Sequence, residues 1–144
     1  MKRMPAMMSV MTPFPYSIDI DAPLAEARKM MVAHDIRHLP VSVAGRLGGL
    51  VSDRDISLVT EPSGGKGGLE GMRVRDVCAL PGYTVELSER LDRVLLHMAE
   101  HHIGSALILK QGKLVGIFTA TDVCRCFGEY LQALFPDETG NDAA

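Results

Sequence analysis

Gly49-Leu50-Val51-Ser52-Asp53-Arg54-Asp55 returns further along the chain as Gly116-Ile117-Phe118-Thr119-Ala120-Thr121-Asp122. Each stretch is a glycine, two bulky apolar residues, a hydroxyl, two variable positions and an aspartate, and the copies stand 67 positions apart. Sliding the chain along itself by that interval brings its halves into register without a gap from Tyr16 to Ile56. Tyr16 falls on Tyr83, Leu24 on Leu91, Met31 on Met98, His34 on His101, Ile36 on Ile103, Gly45 on Gly112 and Asp55 on Asp122. Apolar positions match more widely still, as Ile18 with Val85, Ile20 with Leu87 and Val41 with Ile108. The chain is one sequence unit written twice.

Each unit carries the same periodicities. Ser17–Ile20 and Thr84–Leu87 alternate apolar and polar residues, the pattern of a half-buried strand. Leu91, Val94, Leu95 and Met98 form a helical stripe, matched by Leu24, Ala27 and Met31. Two strands then flank a glycine turn: His38–Val43 with Gly48–Ser52, and Ser105–Lys110 with Leu114–Thr119, turning at Gly45 and Gly112. A second helix closes each unit, from about Asp53 to Val59 and from about Ala120 to Leu134. The order is β-α-β-β-α, twice, an α/β (α+β) fold. Three strands per unit leave one sheet face uncovered unless the units pack together, which predicts a pseudo-two-fold pair. Residues 7–60 and 72–135 are the expected repeats. The glycine-rich 61–71 reads as a flexible connector and the polar 136–144 as a flexible tail.

A net charge of -3 and a pI near 5.9 provide no basic field for phosphate backbones, which argues against nucleic acid as a partner. No apolar run is long enough to cross a bilayer, and prolines interrupt the start MKRMPAMMSVMTPFP where a secretory core should be continuous, so the expectation is a cytoplasmic protein that does not enter the membrane. Cys78, Cys124 and Cys126 are odd in number and lack metal-ligand spacing, as expected of free thiols.

His97-Met98-Ala99-Glu100-His101 spells H-x-x-E-H, a pattern that can hold zinc between two imidazoles with a glutamate as base. The repeat argues against it. His101 has a partner in His34, but His97 falls on Met30 and Glu100 on Ala33, and on a helical wheel Glu100 lies opposite the apolar stripe while both histidines sit on its edge. The plausible third ligands are Asp122 and Glu129, and Asp122 belongs to the repeated phrase. No metal, and no catalytic residue, is expected. A nucleophile with its base and a P-loop are both lacking in the sequence.

The phrase G-h-h-[ST]-x-x-D, following I-x-x-L-P-V at Ile36–Val41 and a looser copy at Ile103–Ile108, resembles the cystathionine-β-synthase (CBS) domain. The resemblance covers essentially the whole chain, as two CBS repeats forming one Bateman module with no catalytic domain attached. It implies that Asp55 and Asp122 accept hydrogen bonds from ribose hydroxyls, with Ser52 and Thr119 beside the phosphate. The same residues also spell a capping box, [ST]-x-x-[DE] ahead of a helix, and both roles can hold at once, since a helix N-terminus attracts anions. Family geometry further implies that each cleft is completed by the first strand of the other repeat, Thr84 at the Asp55 cleft and Ser17 at the Asp122 cleft.

The two clefts are expected to differ. Arg37, His38 and Arg54 in the first half stand against Gly104, Ser105 and Thr121 in the second, so only the first can bring guanidinium groups to a phosphate. The reading is a regulatory module that binds an adenosine nucleotide of the AMP, ADP or ATP class, forms a homodimer and signals to a regulated protein that the sequence does not identify. The alternatives are a dimerising scaffold that needs no ligand and a sensor of S-adenosylmethionine.

Overall fold

The computed structural model describes residues 3–13, 15–60 and 69–136 of the 144-residue chain. Most of the expected connector, 61–68, and most of the tail, 137–144, lie outside the described residues. In the first half β2 (Ile18–Asp19) leads to α2 (Leu24–His34), then to β3 (His38–Val43), β4 (Arg46–Ser52) and α3 (Asp53–Thr60). In the second half β5 (Thr84–Glu86), α4 (Leu91–His101), β6 (Ser105–Lys110), β7 (Lys113–Thr119) and α5 (Ala120–Leu134) repeat that order. In each half the first strand runs parallel to the second, and the second pairs antiparallel with the third.

The hairpins turn in two residues. Ala44 and Gly45 have φ of 52° and 80°, and Gln111 and Gly112 have 52° and 77°, positive φ at both central positions, as the twist of the flanking strands requires. Glycine fits the second position without strain. Both first helices also stop alike. Asp35 and His102 adopt φ of 51° and 55°, and the next amides, of Ile36 and Ile103, close onto Met31 and Met98.

Two elements precede what periodicity shows. A short helix α1 (Met7–Val10) and a strand β1 (Thr12–Pro13) open the first half ahead of β2 but pack on the second half. β1 pairs antiparallel with β7, Thr12 opposite Ile117, and Met7, Val10 and Met11 are buried among Leu91, Val94, Met98, Ala106, Ile108 and Phe118. The converse holds on the other side. A 3-10 turn at Val74–Asp76 opens the second half ahead of β5, and Val74 is buried in the first core with Leu24, Ala27, Met31, Leu39, Val41, Val51 and Ile56. Ala79 bonds Leu50 in both directions, N to O at 2.8 and 3.0 Å. The 67-residue shift maps Met7 on Val74, Val10 on Val77 and Thr12 on Ala79. Each half therefore lends its opening segment to the core of the other.

Each core buries apolar residues of the one segment lent by the other half, and removing methylenes from such a place leaves a cavity. Met7 is 2% exposed and its neighbour Met8 is 61% exposed. Met7→Ala should cost about 2 to 5 kcal/mol in urea unfolding, as a core methionine of the second half would. Met8→Ala should stay within about 0.5 kcal/mol. Equal effects from the two would contradict the exchange.

Candidate functional site

The seam between the halves opens into a cavity of about 700 Å3. From the first half it is lined by Arg37, His38, Leu50, Ser52, Asp53, Arg54 and Asp55, and from the second by Ala79, Pro81–Tyr83 and His102–Ser105. The size falls within the range of small-molecule sites. Its position follows from the exchange, since the 79–83 segment that crosses to pair with β4 forms one wall. Gly49 and Gly82 let that segment come close: a Cβ on Gly49 would meet the Ala79 carbonyl oxygen at 3.2 Å, and one on Gly82 would meet Leu50 Cβ at 3.3 Å.

Ser52 and Asp55 close a capping box at the start of α3. The Ser52 amide donates to Asp55 Oδ2 at 2.9 Å, and the Asp55 amide donates to Ser52 Oγ at 3.1 Å. The Asp53 amide, also in the first turn, donates to the Arg37 carbonyl at 2.8 Å, which ties the helix start to the lead-in of β3. The box uses one carboxylate oxygen. Among the described residues Asp55 Oδ1 accepts no hydrogen bond, and no hydrogen bond or ion pair engages the exposed guanidinium groups of Arg37 and Arg54. An unengaged carboxylate oxygen, two unengaged guanidinium groups, the imidazoles of His38 and His102 and a tyrosine therefore share one cavity. A carboxylate can accept from hydroxyls, and guanidinium groups can grip phosphate or carboxylate oxygens.

The corresponding place in the second half is built differently. Thr119 and Asp122 make the same capping box, Thr119 amide to Asp122 Oδ2 at 2.9 Å and Asp122 amide to Thr119 Oγ1 at 3.3 Å. Asp122 is however 3% exposed, and its Oδ1 accepts from Thr12 Oγ1 at 3.2 Å and from Arg125 at 3.1 Å. Arg125 also donates to the Val10 carbonyl at 3.2 Å.

Of the residues singled out from sequence, Arg37, His38, Ser52, Arg54 and Asp55 line the cavity together. Ser105, assigned to the other cleft, lines this one with Gly104, because β6 begins beside the seam. Thr84, Ser17, Thr119 and Asp122 are not among the lining residues, and the second-half contribution arrives one residue earlier than Thr84, through Pro81, Gly82 and Tyr83. Sequence reasoning missed those three together with Leu50, Asp53, Ala79, His102 and Ile103. Tyr83 carried a usable signal as the partner of Tyr16.

The histidines of the zinc-like pattern are engaged with rings: His97 stacks on Tyr83 at 4.6 Å, and His101 lies 4.3 Å from His97. Among the described residues no three His, Cys, Asp or Glu converge as a metal cluster, and no helix is long and apolar enough to cross a membrane.

A pair of β-α-β-β-α units packed about a pseudo-two-fold axis, with a cleft at their seam, defines a regulatory ligand-binding module. The chain belongs to the CBS domain family, whose model matches residues 7–59 and again 74–129. A Vibrio cholerae protein named for acetoin utilization (AcuB) superimposes with a TM-score of 0.76 at 28% identity, over 94% of this chain and 99% of that one. The CBS domain pair of protein MJ0100, solved with 5'-methylthioadenosine and S-adenosyl-L-methionine, has the same fold at a TM-score of 0.76 and 22% identity, covering 89% of this chain and 99% of that one. L-aspartate semialdehyde sulfurtransferase of Methanocaldococcus jannaschii is 31% identical over 107 residues, which are 73% of this chain, but the match spans only 20% of the enzyme.

His38 is half-buried at the cavity wall and titrates below its ordinary 6.5. Burial disfavours the imidazolium most and Arg37 adds to that, while Asp55, Asp122 and Asp53 oppose without overcoming it. Between the lowered value and 6.5 the folded state binds fewer protons than the unfolded one. Its contribution to stability is therefore present above about pH 6.5 and lost as pH falls through the window. His38→Gln should flatten the fall in melting temperature from about pH 7 to about pH 5 relative to wild type. Parallel curves for the two proteins would contradict this assignment.

Proposed function

We propose that the protein is a sensor of an adenosine nucleotide, AMP, ADP or ATP, which it binds in the cleft between its two repeats. The observation that carries this reading is the pairing in one cavity of an Asp55 oxygen left over from its capping box with the unengaged Arg37 and Arg54. Asp55 would accept from ribose hydroxyls, Ser52 and the start of α3 would face phosphate, and Arg37 and Arg54 would hold its charge. Leu50, Tyr83 and Ile103 supply apolar surface for a base. S-adenosylmethionine is supported by the ligands solved with the CBS pair of MJ0100. Its sulfonium is less suited to a wall with two guanidinium groups than a phosphate is.

Binding across the seam would favour one relative setting of the halves, and the ligand's differential affinity for that setting limits the signal passed to a regulated protein. The role is regulatory and not catalytic. His38 gains by protonation when a phosphate sits beside it, so nucleotide binding takes up a proton and tightens as pH falls towards the free-protein value.

Calorimetric titration with AMP, ADP, ATP and S-adenosylmethionine is the test. Asp55→Asn keeps an oxygen for the cap and removes the charge, and it should weaken nucleotide binding roughly 10- to 100-fold, the worth of a charge-assisted bond. Binding should weaken with added salt. A folded wild-type protein that takes up none of the four ligands at millimolar concentration would leave the ligand-free scaffold as the better reading.

Self-association belongs to the same proposal. On α5, Phe127, Tyr130, Leu131 and Leu134 follow the i, i+3, i+4, i+7 spacing of one helical face, and all four are exposed. With Phe135 they give the chain an apolar surface of the kind that pairs with a second copy. Phe127→Glu combined with Leu131→Glu should shift the protein from dimer to monomer in sedimentation velocity. A monomeric wild type at micromolar concentration would remove this part of the reading.

A further inference from the structure

The repeat and the exchanged segments together single out Thr12 and Arg125. Under the 67-residue shift Arg125 corresponds to Leu58 and Thr12 to Ala79, so the first half has no donor at either place. This is why Asp55 keeps an oxygen free. In the second half both donors reach Asp122 Oδ1, Thr12 at 3.2 Å and Arg125 at 3.1 Å, and Arg125 spans to the Val10 carbonyl on the lent segment. The Asp122 carboxylate is thereby satisfied from within the chain and shut from solvent at 3% exposure. A ribose hydroxyl arriving there would have to displace a guanidinium and a hydroxyl, and β1 is held over the place by its pairing with β7.

We propose that Thr12 and Arg125 form an internal latch that closes the Asp122 cleft, so that each chain takes up one nucleotide, at the Asp55 cleft, and the opening segment 7–13 controls access to a second. The inference rests on the adenosine-ligand reading for its probe. It goes beyond that reading in assigning the stoichiometry to two residues that lie outside the repeated phrase. The latch also makes the halves mechanically unequal. The second half is fastened to its borrowed segment through a buried carboxylate, and the first is joined to its own through the Leu50 and Ala79 backbone pairing.

The test replaces each latch residue with its counterpart in the other repeat. Arg125→Leu and Thr12→Ala are made singly and together, each is checked for a cooperative melt, and AMP and ATP are titrated by calorimetry. Arg125→Leu alone leaves the β1–β7 pairing intact and serves if the double variant does not fold. The expected result is one nucleotide per chain in wild type and two in the unlatched protein, with the gained site removed by adding Asp122→Asn. Two nucleotides per wild-type chain, or a folded unlatched variant with the wild-type count, would overturn the latch. Failure of the underlying reading looks different. In that case wild type binds none, and a single site gained on unlatching and lost with Asp122→Asn would uphold the closure of the Asp122 cleft while overturning the count of one nucleotide at the Asp55 cleft.

Discussion

The structure depends on one constraint: neither half can close its core with its own residues. A three-stranded sheet with two helices leaves an apolar edge and face, and in each half these are covered by the segment that opens the other, Met7–Pro13 on the second core and the stretch from Leu69 to Ala79 on the first. Hydrophobic burial then demands that the halves fold as one unit, because separating them would expose Met7, Val10 and Met11 on one side and Val74 with its neighbours on the other. The seam is a by-product of that exchange. The chain must cross from one half to the other at residues 79–83, and the crossing leaves the cavity beside the start of α3.

Functional asymmetry arises on this symmetric frame at very few positions. The capping boxes at Ser52 and Thr119 have the same connectivity and nearly the same lengths. Both helix starts are tied back to the strand lead-in, Asp53 to Arg37 and Ala120 to Gly104. What differs is what stands at the corresponding positions of the repeat: Leu58 and Ala79 in the first half, and in the second Arg125 and Thr12, which both donate to Asp122. A carboxylate with an unengaged oxygen in a cleft can still accept a ligand. A buried carboxylate that already accepts from a hydroxyl and a guanidinium gains nothing by exchanging them for a ribose.

Much of the fold was legible in the sequence because period-two and helical patterns report local burial. The expected His38–Val43, Ser105–Lys110 and Ala120–Leu134 coincide with β3, β6 and α5. The opening segments fall within the expected repeats 7–60 and 72–135, but their exchange between the halves is a tertiary arrangement that leaves no periodic trace. The candidate site was legible on the repeated phrase itself, Ser52 to Asp55, and on Arg37 and His38. Ser105, expected at the Asp122 cleft because linear correspondence assigns one lead-in to each cleft, borders the cavity that holds Asp55, since the lead-ins of β3 and β6 meet at the seam. Arg125 could have been found by asking which residues around the phrase fail to repeat, since Leu58 is its counterpart.

The most direct test of the account is a crystal structure of the protein grown with AMP or ATP. The account predicts ligand density in the cleft between Asp55 and Ser105, ribose hydroxyls on Asp55 Oδ1, phosphate against Arg37 or Arg54, and Asp122 still held by Thr12 and Arg125. A nucleotide whose ribose sits on Asp122 while the Asp55 cleft holds none would contradict it.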